Sequence, residues 1–313
     1  MEQTNRAWAH LVAFFTVAIW GTTFVSTKVL LLHGLTPAWI FTLRFAMAYV
    51  LLVALTPLIR RKRPLSENRP LVSRKERCRD ELLMFALGVT GGSLYFLAEN
   101  EALNHTTATN TSLIVCSCPL FAMFLIAALY RDEKVAKWQI LGSFIALLGM
   151  ATVVLNGHFV LHLSPLGDAL AFVACLAWAF YSLLMKQALR RYDIFVITRK
   201  VFFYGLVTII PFLLVTRQPL HIQAFDNPVV WGNLLYLGIV ASLVCFLTWN
   251  WVMRRLGPVV ATNWVYFNPI TTIVFAAWLL REPITPWFLL GTVLILLGMY
   301  LCDRRVGVRS QGV

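Results

Sequence analysis

Acidic residues are few in this chain, 14 Asp and Glu in 313 residues, and charge of either sign makes up only 13% of it. A soluble domain carries about 25% charged residues. With 59% hydrophobic residues and a mean hydropathy of +0.73, a water-soluble fold is excluded, and the lipid bilayer is the partner that the composition demands. Metal-binding and disulfide patterns are missing too. Of the six cysteines, Cys116, Cys118, Cys175, Cys245 and Cys302 fall in or beside apolar runs and Cys78 in a basic stretch, so they read as filler between helices. His33, His105, His158, His162 and His221 are scattered over four loops with no shared helical face, so they read as interfacial residues rather than as a metal site. The nucleophile elbow G-x-S-x-G, the zinc helix H-E-x-x-H and the P-loop are absent. An intramembrane aspartyl protease is excluded as well, since the G-x-G-D pattern is missing and Asp168 and Asp193 belong at opposite membrane faces. Neither an enzyme, direct ATP drive nor a cofactor is therefore expected. No small-residue cleavage site follows the first apolar run, so that run stays as a helix.

What the chain does have is basic charge, a formal +13. Its Lys and Arg sit in short segments between hydrophobic runs rather than on one soluble face, so they are orientation signals and no nucleic-acid partner is implied. About 20 apolar residues cross a ~30 Å hydrocarbon layer. Ten runs of that kind are present, near 9–32, 37–59, 82–104, 107–130, 138–156, 166–187, 197–216, 230–252, 258–280 and 284–302. With the N-terminus in the cytoplasm, 23 of the 27 Lys and Arg fall on the cytoplasmic side. The expectation is an all-α, multi-pass plasma (inner) membrane protein with both termini inside.

The two halves of the chain repeat each other. At a shift of 149 residues, RDEKVAKWQILGSFIALLGM (131–150) aligns with LREPITPWFLLGTVLILLGM (280–299), matching Glu133 to Glu282, Trp138 to Trp287, Gly142 to Gly291 and Gly149 to Gly298. Ala108-Thr109-Asn110 answers Ala261-Thr262-Asn263, Pro119 answers Pro269, and Trp20 and Lys28 answer Trp178 and Lys186. Five spans per half is an odd number, so the second copy, 157–313, enters the membrane from the side opposite to the first, 1–156. Such an inverted repeat gives a carrier two related conformations about a site near the midplane, which is alternating access.

These residues carry a resemblance. Trp20-Gly21 in the first span, Arg44-Phe45 in the second, the A-T-N…P of the fourth and ninth, Glu133 and Glu282, and the paired L-x-x-G-M-like endings resemble an EamA-type member of the drug/metabolite transporter superfamily over about 8–302. Departures are the basic loop around 60–80 and Ala179 where the first half has Gly21. The resemblance implies a ten-helix carrier, secondary-active or facilitative, that exports small metabolites such as amino acids. An uptake carrier and a channel remain as alternatives.

Helical periodicity picks the faces toward a cavity. Trp20 and Thr23 share a stripe on the first span, Trp178 and Tyr181 on the sixth, and Asn263 and Tyr266 on the ninth, with Asn110 on the fourth. Wide rings beside hydroxyls and amides suit a small amphiphilic solute; taken singly, each polar residue equally suits bonding between helices. Pro119 and Pro269 each remove a backbone bond in mid-span and are expected to kink their helices. In the third span Tyr95 and Glu99 lie on one stripe, whereas Glu101, two residues and about 200° on, faces away toward the membrane surface. Glu99 is about 9 Å below the outer end of its helix, at the level of Arg44 and Lys28. A carboxylate at that depth is either a fixed ion pair with one of them or a site for a proton or a solute amine.

Overall fold

The structure, a computed structural model, describes residues 2–62, 74–106, 111, 114–129, 136–155, 164–271, 274 and 285–303. Every regular element among them is helical, because hydrocarbon offers no water to satisfy a backbone amide and a helix bonds them all internally. In order they are α1 (Glu2–Leu32), α2 (Pro37–Lys62), α3 (Arg74–Gly88), α4 (Leu94–His105), α5 (Cys118–Leu129), α6 (Lys137–Leu155), α7 (Pro165–Arg191), α8 (Ile194–Thr216), α9 (Pro228–Leu235), α10 (Cys245–Leu256), α11 (Pro258–Asn263) and α12 (Pro286–Asp303). Six continuous stretches are long and apolar enough to cross a bilayer: Arg6–Leu32, Pro37–Pro57, Glu76–His105, Pro165–Arg191, Ile194–Thr216 and Pro228–Leu256; shorter apolar helices accompany them. Helix α1 begins before the apolar run and α2 outlasts its own, since a helix propagates past the hydrocarbon wherever no breaker intervenes.

Local chemistry sets several ends. Ser164, Asp193 and Asn227 cap α7, α8 and α9, each accepting a backbone N–H of the first turn, and Pro165 and Pro228 stand in first turns where no donor is missed. Between α10 and α11 the chain turns through Gly257 at φ +82°, a left-handed conformation that suits glycine. Lys200, near the start of the seventh apolar run, is tolerated because its Nζ meets both Glu81 oxygens at 2.8 and 2.9 Å and Tyr204 donates to the same carboxylate at 2.6 Å.

Two segments leave the α-helical pattern. Val89–Ser93, between α3 and α4, and Tyr236–Val244, between α9 and α10, are π-helical. The first holds Gly91 and Gly92, and Gly92 leaves helical geometry altogether at φ −126°, ψ −106°. Glycine is required at 91 by packing, since a Cβ there would lie 2.2 Å from the Tyr181 ring. The 149-residue shift carries Ser93 onto Ser242, and the two serines make matching cross-links: Ser93 Oγ bonds Thr208 of α8 at 2.7 Å, and Ser242 Oγ accepts from Arg44 Nε of α2 at 2.9 Å.

Helices α6 and α12 pack through reciprocal glycines. A Cβ on Gly142 would stand 2.5 Å from the Gly298 carbonyl oxygen, and one on Gly149 would stand 2.7 Å from that of Gly291. Each glycine thus touches the sequence counterpart of the other, the pattern expected where two like helices cross about a twofold axis.

Pro119 lies in the first turn of α5, just after a turn at Cys116–Ser117, and Pro269 follows the 3-10 segment Trp264–Phe267. At both positions the preceding α-helix ends before the proline, which stands in the first turn of the helical stretch that follows, where its ring meets no helical carbonyl four residues before it.

Candidate functional site

Aromatic rings fill the centre of the bundle. Trp20 of α1 meets Trp178 of α7 at 5.4 Å and Trp249 of α10 at 5.0 Å, and Trp178 meets Tyr95 of α4 at 4.9 Å and Tyr181 at 5.1 Å. The Trp20 indole is fixed by donating to the Ala241 carbonyl at 3.0 Å, in a π-helical segment where α-helical carbonyl pairing is interrupted. Beside these rings lies a cavity of about 40 Å³. Its walls include Trp20, Thr23, Tyr95 and Trp178, and the two charged residues that line it among the described residues are Arg44 and Glu99. Asn268 and Val265 close it from the second half of the chain.

Glu99 is 8% exposed, and its Oε1 accepts from the Tyr95 hydroxyl one turn earlier at 2.9 Å. Arg44 is 2% exposed; besides the bond to Ser242, its guanidinium lies 4.4 Å from the centre of the Phe96 ring. The two charges share the cavity, but no ion pair joins them. Lys28 points elsewhere and donates to the Leu103 carbonyl at 3.2 Å. Glu101 faces outward and lies 3.3 Å from His105, as the angular offset between positions 99 and 101 requires.

The remaining sequence candidates are spread around this centre. Thr23 lines the cavity and turns its hydroxyl onto the Trp20 carbonyl at 2.7 Å. Tyr181 stands behind Trp178 and donates to Asn250 Oδ1 at 2.9 Å, while Asn250 Nδ2 donates to Thr198 at 2.9 Å. Asn263 lines a separate cavity of about 200 Å³ with His10, Trp264 and Tyr300, and both its amide atoms lack a partner among the described residues. Tyr266 is fully buried, and its hydroxyl has no partner among them either. Asn110 lies outside the described residues.

Sequence reasoning passed over Ser242, Phe96, Asn250 and Asn268. For Ser242 a signal existed, its register with Ser93; the others sit in apolar runs with nothing to mark them. Asn250→Ala would strand the Tyr181 hydroxyl in a fully buried site and leave the Thr198 hydroxyl only its bond to the Ile194 carbonyl. Equilibrium unfolding in mixed micelles is expected to show a loss of about 2 kcal/mol, and an unchanged midpoint would mean that water already serves those groups.

A model of the EamA-like transporter family matches residues 7–155 and again 165–302. A relative named as an uncharacterized transporter of Archaeoglobus fulgidus is 27% identical, with 95% of this chain and 97% of that one aligned. A probable terminal-alkyne amino-acid exporter of Streptantibioticus cattleyicolor is 27% identical over 97% and 95%. A probable amino-acid metabolite efflux pump of Escherichia coli (strain K12) is 25% identical over 93% of each. One solved crystal structure superposes with a TM-score of 0.70, covering 96% of this chain and 99% of its own at 18% identity, a likeness of fold. With six stretches able to cross a bilayer and the family matched from end to end, the chain is an integral multi-pass membrane protein that belongs to the EamA-like transporter family, a family of transporters and not of enzymes.

Proposed function

We propose that the protein exports small amphiphilic metabolites, amino acids or close relatives of them, by alternating access. The observation that carries this reading is the cavity, in which one carboxylate and one guanidinium stand among aromatic rings contributed by both halves of the chain. A site for a small amphiphile needs that mixture of apolar walls and few polar groups. The names of the relatives support amino-acid-like solutes and the outward direction. In this reading ten membrane helices form two inverted five-helix repeats, 1–156 and 157–313, with both termini in the cytoplasm and the protein in the plasma membrane. The separate matches of the family model to the two halves, the reciprocal glycines of α6 and α12 and the matching bonds of Ser93 and Ser242 support the repeat. The cavity has room for only a few waters, each needing about 10–15 Å³ of such space, so this conformation is a contracted one that must widen to take a metabolite. Energy comes from a solute or proton gradient, with Glu99 as the proton carrier in the second case, or the carrier is facilitative.

The test compares metabolites in the medium of cells expressing the protein with those of vector-only cells. A discrete set of amino-acid-like solutes enriched in the medium is expected. Depletion of such solutes would reverse the direction to uptake. Identical media, with the protein shown to be in the membrane, would overturn the reading.

A further inference from the structure

We propose that Arg44 and Glu99 divide the recognition of one zwitterionic solute, Arg44 taking its carboxylate and Glu99 its ammonium group. The assignment rests on the reading of this cavity as the solute site of a carrier. Its basis is how each charge is held. A buried charge is costly unless an opposite charge or several hydrogen bonds compensate it, and within a membrane such residues pair with one another or face a polar path. Arg44 and Glu99 line the same small cavity, yet they form no ion pair with each other or with any other described residue. Each is instead fixed by a neutral neighbour.

Ser242 occupies Arg44 Nε, and the Phe96 ring lies against the guanidinium. The two terminal nitrogens bond to nothing among the described residues, and neither is sealed from the cavity. They form the planar fork that binds a carboxylate through two parallel bonds. Tyr95 occupies Oε1 of Glu99, which leaves Oε2 with no donor among the described residues and likewise not sealed off. An ammonium group supplies donors for that oxygen. The empty site thus presents one open cationic fork and one open anionic oxygen to the same space. A solute bearing both complementary groups compensates both charges, whereas an amine compensates one and faces the other as a like charge, and a carboxylic acid does the reverse. Such repulsion is how a site rejects close analogues. The aromatic walls then receive the side chain, and Ser242 acts as a positioning residue that aims the fork.

The experiment uses the full chain in detergent and three matched probe pools on the leucine, phenylalanine, methionine and threonine side chains: the amino acids, the amines lacking the carboxylate, and the acids lacking the amine. Binding is read from the rise in unfolding temperature with ligand concentration, which reports affinity for the folded state. Half-maximal stabilisation by the amino acids is expected at a concentration at least about tenfold lower than for either analogue pool, the factor for one charge-assisted contact. Arg44→Gln should erase the advantage over the amines alone, and Glu99→Gln the advantage over the acids alone. Ser242→Ala, which keeps both charges, should narrow the advantage over the amines without abolishing it, and it serves if either charge variant fails to fold. Equal stabilisation by all three pools, or variants that weaken all three by one factor, would overturn the assignment. Efflux of the amino-acid pool from proteoliposomes separates the two levels. Efflux without discrimination in binding sinks the charge assignment and leaves the carrier; no efflux from folded protein sinks the carrier reading and the assignment with it.

Discussion

Gly298→Leu is expected to yield less than about a tenth of the wild-type amount of monodisperse protein, because overpacking of a tight contact costs several kcal/mol and most proteins have only 5–15 to lose. At this position even the first carbon of a side chain has no room. A Cβ would lie 2.4 Å from the Gly142 carbonyl oxygen and 2.5 Å from the Ala146 nitrogen. Both are backbone atoms, so no rotamer relieves the clash, and α6 and α12 must move apart along their whole contact. Helix association in lipid depends on such close backbone approach, since apolar side chains gain nothing by leaving hydrocarbon. Gly142→Leu should behave alike, its Cβ meeting the Gly298 carbonyl at 2.5 Å. The control is Gly232→Leu, where nothing lies within 4 Å and the yield should hold. Size-exclusion chromatography of fluorescently tagged protein reads all three. A normal profile for Gly298→Leu would mean that α6 and α12 do not pack as described.

The second large effect is expected at Trp178, which is 4% exposed and shares ring contacts with Trp20, Tyr95 and Tyr181. Each aromatic pair contributes about 0.5–1.5 kcal/mol beyond its buried area, so Trp178→Ala should slow export by tenfold or more, at about 1.4 kcal/mol per factor of ten. The lost volume also destabilises the fold by about 3–5 kcal/mol. Rates must therefore be compared per folded protein, and Trp178→Phe, which keeps the ring contacts, should stay within about threefold of wild type. The measurement is efflux of whichever solutes wild-type cells release into the medium. Wild-type efflux from Trp178→Ala would remove this ring from the solute path.

The helices were legible because lipid leaves the backbone no alternative and because about 20 apolar residues between basic segments is a strong pattern. Glu99 and Glu101 could be told apart from their spacing alone: two residues on a helix are about 200° apart, and only one of them can face a bundle interior. The glycines of α6 and α12 were legible as packing residues for the same reason of register. Two features were not. Of the π-helical segments, Val89–Ser93 carries the pair Gly91-Gly92, a mark of weakened helix, whereas Tyr236–Val244 has no composition that sets it apart from an ordinary apolar helix. Asn250 lies between two tryptophans, and nothing in that stretch says that its partners are Tyr181 and Thr198.

By itself, then, the sequence determined the all-helical membrane character, the likeness of its own two halves, the inward face of Glu99 and the small-residue faces, which follow from hydropathy, self-comparison and the 3.6-residue turn. Only the tertiary structure decided which charges meet. The expected depths of Arg44, Lys28 and Glu99 in three helices are similar, and depth alone cannot choose among them. The structure sends Lys28 to a backbone carbonyl and gives Arg44 to Ser242, so Arg44 and Glu99 face one cavity unpaired. The reason is that a side-chain contact across helices depends on the rotation of each helix about its own axis, and that rotation is set by the packing of all its neighbours at once.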